Sequence, residues 1–520
     1  MQCFLNPKSR GIYCEAKSFR SLLLAHFRRF LLWLALIAAI SATTAATYYV
    51  DPAMPNDTGN GSRGHPKKFL TSGMALMAAT GGDSLVLAAG TYSGTLDSIS
   101  RNTRLHYGKP GAYNVIKAAV DGSVVLTREF SLPLTSAYLQ FEGLKWDSAF
   151  SKSVVGHHLK FLRCAFRGGP ATGNAISLGI GTNDQTPGAQ YVLIEDSWVY
   201  GPGGRYKIIV YNAESVVLRR VVVRHDAGWA YDGQNPQGGI TIYNSKDVHL
   251  QNGLVIDSDL SYPGWGAGIY IVKNTDPITL QSHTGTRVRG SIMLNINGAA
   301  MGFDGLGKVL DSRIQDSVIW GATAGIYLNN GDHSVTVRGL TVGSLTKIAF
   351  GLYAGSGASL DVRNTIIYSS NLPFGRNAGT LIHQYNNCNA NKNNNCGTQG
   401  ETAYSPLSNG LKFLPRIEAM SILRGAGEGG QQVGATVTNR IGVSNSIFGD
   451  PGFDTLSREP LWPWPNEDRL KGDLCANGIV RGMCRHTLSL TDYVWTYLGT
   501  PTPNFIPFVA SSNTQKIIQP

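Results

Sequence analysis

The sequence predicts an all-β solenoid, a single-chain parallel β-helix, and two observations carry that reading. The first is a repeat. From Val216 to Asn274 two short apolar-alternating runs, V-x-L-x-x-V-x-V and G-I-T-I-Y-N, are followed by near copies, V-H-L-Q-N-G-L-V and G-I-Y-I-V-K-N. Between each pair lies a loop rich in Gly, Trp, Tyr and Asp. Alternation at period two sends one set of side chains inward and the other outward, and units that recur in fixed order mark a solenoid. The second is composition. There are 62 glycines and only 15% charged residues in 520, with no long stretch of clean helical periodicity beyond the first hundred residues. That is a turn-rich, all-β profile.

Taken in order, the chain begins with a basic region (Lys8, Arg10, Lys17, Arg20, Arg28, Arg29), the apolar run Phe30 to Ile40 and the small residues SATTAA. This is the order of a secretory signal, with Ala46 the expected last residue removed. The alternative is an anchor that stays attached, but the run is short of the about 20 residues a spanning helix needs. No membrane span is therefore expected in the mature chain, which should be secreted. Removing residues 1–46 takes six Lys/Arg and one Glu and leaves 39 basic against 33 acidic residues, a net charge of +6. A chain that stays basic suits an acidic polymer as partner, although an evenly spread surface charge accounts for it too.

The mature start contains YYVDP (Tyr48 to Pro52), an Asp/Asn/Gly turn, His65-Pro66 before an amphipathic stretch, Gly82 to Leu87 (GDSLVL) and Gly90-Thr91-Tyr92. It resembles the opening of proteins of the pectate-lyase-like, right-handed parallel β-helix superfamily. The resemblance implies a first strand, a helix capping the open end of the coil, and the first full coil. The physics agrees, since exposed strand edges and core at an end must be covered.

The third residue of each V-x-L-like run falls at Phe141, Phe161, Ile194, Leu218, Leu250, Val288, Ile314, Val337 and Val362. Basic coils of roughly 20 to 25 residues with loops added are what a parallel β-helix requires. The second strand of each coil is the G-I-x-I type, as in Ile176 to Leu178, Ile208 to Val210, Ile240 to Ile242, Ile269 to Ile271 and Ile326 to Leu328. Pairs such as Arg219-Arg220, Gln251-Asn252 and Arg363-Asn364 sit where the coil must turn sharply. Beyond Ser370 the pattern degrades, leaving one more coil-like segment at Arg440 to Phe453. From Glu459 the tail has Pro and Trp where strands do not tolerate Pro, and it is expected to wrap the C-terminal end as an irregular cap. The expected organisation is thus a signal peptide (1–46), an N-terminal cap with first coils (47–125), the β-helix (126–455) and a C-terminal wrapping segment (456–520).

Cys388 with Cys396, and Cys475 with Cys484, bracket short loops and are each expected to close as a disulfide in an oxidising compartment. Cys164 falls on an inward position and should be a buried thiol.

In superfamily members that act on polysaccharides, the substrate lies in a groove along the strand corresponding to G-I-x-I. By that resemblance, outward Tyr243, Tyr270 and Tyr327 face a substrate, and the loops entering the strands add Trp229, Tyr231 and Trp265. Aromatic rings offer flat apolar faces with a polar edge, which suits sugars; the alternative is that these rings pack loops onto the coil. Eliminating or epimerising a uronate needs a cation beside the carboxylate and a base for the neighbouring proton. Arg224, His225, Asp226 and Lys273 are the expected catalytic group, with Lys207 beside them to bind substrate, although His225 also suits a structural hydrogen bond. Asp257 and Asp259, with Asp226 or Asp232, suit Ca²⁺, which prefers clustered oxygen ligands; two Asp two residues apart are also a turn feature. Neither the paired-Asp and Gly-His-Gly pattern of polygalacturonases nor the Asp-Pro-His-Asp of alginate epimerases is found in the sequence, and the signature of the main pectate lyase family is not matched. No catalytic motif therefore carries over residue by residue, and fold alone does not license function. The expected partner is an acidic polysaccharide or other glycan, not nucleic acid, bound or processed by a secreted β-helix; a non-catalytic glycan-binding or matrix protein is the alternative.

Overall fold

The computed structural model describes the backbone of Gln2–Leu5 and Ile12–Glu15 and, with side chains, residues 45–170, 173–179, 186–226, 237–260, 266–273, 283–393, 396–397, 400–404, 416–476, 478–485 and 487–498. The chain divides into two compact units, Met1–Ala46 and Thr47–Pro520. In the first, Gln2–Leu5 and Ile12–Glu15 pair antiparallel.

The second unit is a right-handed parallel β-helix, and its core is the predicted column. Phe141, Phe161, Ile194, Leu218, Leu250, Val288, Ile314, Val337 and Val362 are successive partners in one parallel ladder. All nine are at most 1% exposed. Ile116 and Leu85 extend the column toward the N-terminus. The G-I-x-I strands form a second ladder in the predicted register, from Ile176 through Ile208, Ile240, Ile269 and Met301 to Ile326. Each coil also has a third strand that the repeat pattern did not single out, such as Trp198–Tyr200, Val222–Val223 and Leu254–Ile256. Strands of two or three residues carry too little alternation to register as a period.

The coil turns sharply between the first and third strands through one left-handed residue per coil. Gly143, Arg163, Asp196, Arg220, Asn252, Gly290, Asp316, Gly339 and Asn364 all have φ between 47° and 67°. A non-glycine residue there costs roughly 1–2 kcal/mol, and neighbouring coils offset it with hydrogen bonds. The Asn252 amide donates to Gly290 O at 3.2 Å, while the next residues stack hydroxyls, so that Gly253 N–H donates to Ser291 Oγ and Ser291 N–H to Ser317 Oγ.

At the N-terminal end the helix Leu70–Met74 lies over the first coil, burying Leu70 and Met74. Gly73 makes the approach possible, since a Cβ there would meet Val50 at 2.3 Å and Leu85 at 2.9 Å. The C-terminal part departs from expectation. The parallel ladders end at Asn387–Asn389, and the segment expected as a last coil is an antiparallel pair, Asn439–Ile441 with Leu456–Pro460. The described part of the tail, 456–498, runs back along the side of the coil. Leu461, Trp464, Leu470, Leu474, Met483 and Tyr493 pack on the outward residues of the third-strand column, among them Trp198, Val222, Leu254 and Trp320. That column is apolar on both faces, so it needs a cover, and the tail supplies one. A second stretch, with Ile447 and Phe453, covers Leu193 and Val217 on the outside of the first-strand column. Cys388–Cys396 and Cys475–Cys484 are bonded, and Cys164 is a buried free thiol. Among the described residues no helix is long and apolar enough to cross a membrane; the run Phe30 to Ile40 lies outside them.

Candidate functional site

The tail covers parts of the other two outer faces, and on the outside of the G-I-x-I column Tyr270 and Tyr327 are half-buried while Ser177, Ile209 and Thr241 are at most 5% exposed. The outward positions of this column run Ser177, Ile209, Thr241, Tyr270, Gly302, Tyr327, Gly351 and Gly375 in register. Tyrosines alternate here with glycines for a steric reason. A Cβ at Gly302 would come within 3.1 Å of the Tyr270 ring, and one at Gly351 within 3.0 Å of Tyr327 and 2.8 Å of Tyr353. Each ring lies against the bare backbone of the next coil. Two residues along the same strands, Tyr211 and Tyr243 meet edge to face at 4.8 Å, and Tyr327 and Tyr353 lie 5.1 Å apart. Tyr243, Tyr270 and Tyr327 therefore share one surface, as the alternation predicts.

Sequence reasoning missed two polar residues beside these rings, Asp304 and Gln237. The Tyr270 hydroxyl donates to Asp304 Oδ2 at 2.5 Å, and Asp304 also accepts from Gly305 N–H and the Asn330 amide at 2.8 Å each. Burial, and then Asp304, push the Tyr270 phenol well above its ordinary range. Gln237 Oε1 accepts from Arg205 and, at 2.9 Å, from the Tyr206 hydroxyl. Asp304 is the register partner of Val272 and, one coil further back, of Tyr243. A strand alignment carried past the I-x-I core would have found it.

The expected catalytic group lies elsewhere. His225 is 0% exposed, its Nε2 donates to Gly204 O at 3.1 Å, and burial, reinforced by Lys207, drives its pKa well below the usual histidine value. Arg224 is 1% exposed under the tail, with Nε 2.7 Å from Asp226 Oδ1, one guanidinium nitrogen donating to Leu474 O and another to Cys484 Sγ at 3.2 Å. Asp226 accepts from Arg224, Arg481 and Gly201 N–H; burial alone would raise its pKa, but the two guanidinium groups hold it below the ordinary value. Arg224 and Asp226 tie the tail to the coil, and His225 is enclosed beside them. Lys273 is buried at 3% exposure, and Lys207 is buried with its ammonium donating to Pro202 O and Gly203 O. Neither stands on the tyrosine face as expected. Trp229, Tyr231 and Trp265, with Asp232, lie outside the described residues.

Asp257 and Asp259, the expected calcium ligands, have protein partners. Asp257 is 4% exposed and accepts from the Tyr493 hydroxyl at 2.6 Å, the Asn295 amide at 2.8 Å and Met483 N–H at 3.1 Å. Its oxygens serve the tail. Asp259 is half-buried and accepts from the Asn297 amide at 3.3 Å. Among the described residues no three His, Cys, Asp or Glu side chains gather where they could hold a metal.

Lys207 and Lys152 make a testable pair. Lys152 stands in register with core Ile176, and its ammonium donates to Ser148 O at 2.8 Å and Arg167 O at 2.9 Å. Burial pulls both lysines down to about 7. In the unfolded chain they titrate near 10.4, so between about pH 7 and about pH 10 the unfolded state binds more protons and stability climbs with pH. The cost of holding them inside is fully present below that window. His249 and His283, pulled down by burial to about 4 and about 3, act with the same sign below the ordinary histidine range. The melting temperature should therefore rise from about pH 7 to about pH 9.5, and Lys207→Met should flatten that rise. A melting temperature that falls over this range would contradict the assignment.

No protein-family model matches the chain, and no curated protein matches it. Among solved structures it is similar to pectate lyase Pel9A, with 16% identity and a TM-score of 0.39 over 76% of this chain and 96% of that one. It is also similar to XylC in complex with xylose (9% identity, TM-score 0.42, 69% and 86% covered) and to a mannuronic acid specific polysaccharide family 6 lyase from human gut microbiota (12%, 0.38, 66% and 86%). The fold of this chain, a parallel β-helix, rests on its own ladders.

Proposed function

We propose that this protein is exported and binds an acidic polysaccharide along the outer face of the G-I-x-I column. The observation that carries this reading is the tyrosine face, where the half-buried Tyr270 and Tyr327 rings abut the glycines of the next coil, Gly302 and Gly351. Rings held this way are platforms with little rotamer freedom left to lose, which favours stacking on the apolar side of a sugar. Arg205, half-buried beside Tyr206 at 5.1 Å, supplies a cation on the same face. The two disulfides support an oxidising compartment.

Binding without turnover is the reading we favour. The carboxylate beside the platforms, Asp304, has both oxygens engaged, accepting from Tyr270 at one and from Gly305 and Asn330 at the other, whereas a general base needs an oxygen within hydrogen-bond reach of the proton it takes. The test is a panel of uronic-acid polymers, followed both by binding and by the ultraviolet absorbance of an unsaturated product. Binding with no product is expected, and Tyr327→Ala should weaken it by roughly 1 to 3 kcal/mol, the size of one lost large apolar contact. Accumulation of product would replace this reading with a lyase, and absence of binding to every polymer would end it.

A further inference from the structure

Toward the C-terminal end the tyrosine face is bordered by a cleft with its own chemistry. In these coils the corner between the third and second strand columns has no loop, only a bulge of one or two residues, so both columns run on as single strands: Ile292–Asp304, Val318–Asn329, Thr341–Tyr353 and Ile366–Arg376. The register slips between Ile296 and Ala299, between Ala322 and Ala324, and between Leu345 and Ile348. The bulges line up from coil to coil, and a cleft of about 490 Å³ lies along them.

Its lining follows the solenoid repeat. The bulged residues contribute one polar side chain per coil, Asn297, Thr323, Lys347 and Asn371, and Tyr327 and Tyr353 form the wall toward the platform face. Coils succeed one another at about 4.8 Å, so four of them extend these groups over roughly 14 Å along the axis. Among the described residues no Asp or Glu lines the cleft. Lys347 is exposed, and among the described residues no acidic group pairs with it. That sets it apart from the arginines outside the first-strand column, where Arg287, Arg313, Arg338 and Arg363 share the carboxylates of Asp311 and Asp361 at 2.5 to 3.0 Å.

We propose that this cleft is a binding site for an acidic sugar unit, whose anionic group is met by Lys347 while its ring stacks on Tyr327 or Tyr353 and its hydroxyls meet Asn297, Thr323 and Asn371. This rests on the proposed glycan binding and adds the residue that selects charge. A carboxylate and a sulfate present the same chemistry to an ammonium, so the assay must separate them.

Calorimetric titration of the full chain with oligosaccharides of galacturonic acid and of mannuronic acid, their carboxyl-reduced neutral counterparts, and a sulfated galactan oligosaccharide gives the test. The wild type should bind one acidic class more tightly than its neutral counterpart, with an affinity that falls as salt is raised. Lys347→Met should lower that affinity about tenfold, the worth of one charge-assisted contact, and leave the neutral oligosaccharide unchanged. Tyr327→Ala should weaken both. An acidic preference that survives Lys347→Met overturns the role of this cleft while leaving glycan binding intact. Equal affinity of the wild type for acidic and neutral chains does the same. No binding of any oligosaccharide removes the underlying reading and the cleft assignment with it.

Discussion

Leu218→Asp should leave no folded protein to isolate. Leu218 is 0% exposed and sits mid-column between Ile194 and Leu250, one coil away on either side. An aspartate there has no cation to pair with, and an unpaired charge in an apolar interior costs several kcal/mol, against a total stability of roughly 5–15 kcal/mol for a folded domain. A solenoid makes the position worse, because each coil is held mainly by its two neighbours and a break in the middle removes both contacts at once. Thr336→Asp is the matched control. Thr336 occupies an outward position of the same strand column, half-buried between Arg313 and Asp361, and a carboxylate there stays in water. Yield of soluble protein and its far-ultraviolet circular dichroism distinguish the two; a Leu218→Asp protein that folds and melts like the wild type would refute the inward column.

That column was legible because every coil repeats one apolar residue at the same phase, and a period summed over nine coils outweighs local noise. Tyr270 and Tyr327 were legible for the same reason, since an outward tyrosine between two inward aliphatics can face only one way, and Tyr243 follows inward Ile242 in the same alternation. Lys347 and Asp304 were not. Lys347 sits in a bulge, where the period-two phase slips, and Asp304 lies just beyond the I-x-I core that defines the repeat. Arg224, His225 and Asp226 drew a catalytic reading for a different reason. A buried ion pair and an active site draw on the same residue types, and the partners that decide between them, Leu474, Arg481 and Cys484, stand some 250 positions further along the chain. Nothing local in R-H-D encodes a tail that returns along the side of the coil. The tail itself offered one cue, its alternation of Trp, Leu and Tyr with charged residues from Leu461 onward, which marks a segment needing an apolar surface to lie on.

The tail's anchorage gives the second large effect. Asp226→Ala should loosen the tail from the coil without disturbing the tyrosine face. Arg224 is enclosed, and Asp226 is the carboxylate that balances it, while Arg481 reaches the same carboxylate from the tail. Removing one partner of a buried pair leaves an uncompensated charge, typically a loss of 3–5 kcal/mol, whereas removing both is far milder. Asp226→Ala should thus melt well below the wild type, and Arg224→Met with Asp226→Ala should recover part of the loss, since Arg481, at 28% exposure, can turn to water. Limited trypsin digestion reads the site directly: cleavage at Arg481 and Arg485, slow in the wild type, should become fast in Asp226→Ala at temperatures where the coil is still folded. Glycan affinity measured at those temperatures should stay within about twofold, a change under 0.5 kcal/mol. His225→Ala should likewise spare affinity. If either substitution abolished glycan binding or turnover while the tail remained protected from trypsin, these residues would have to be returned to the functional site.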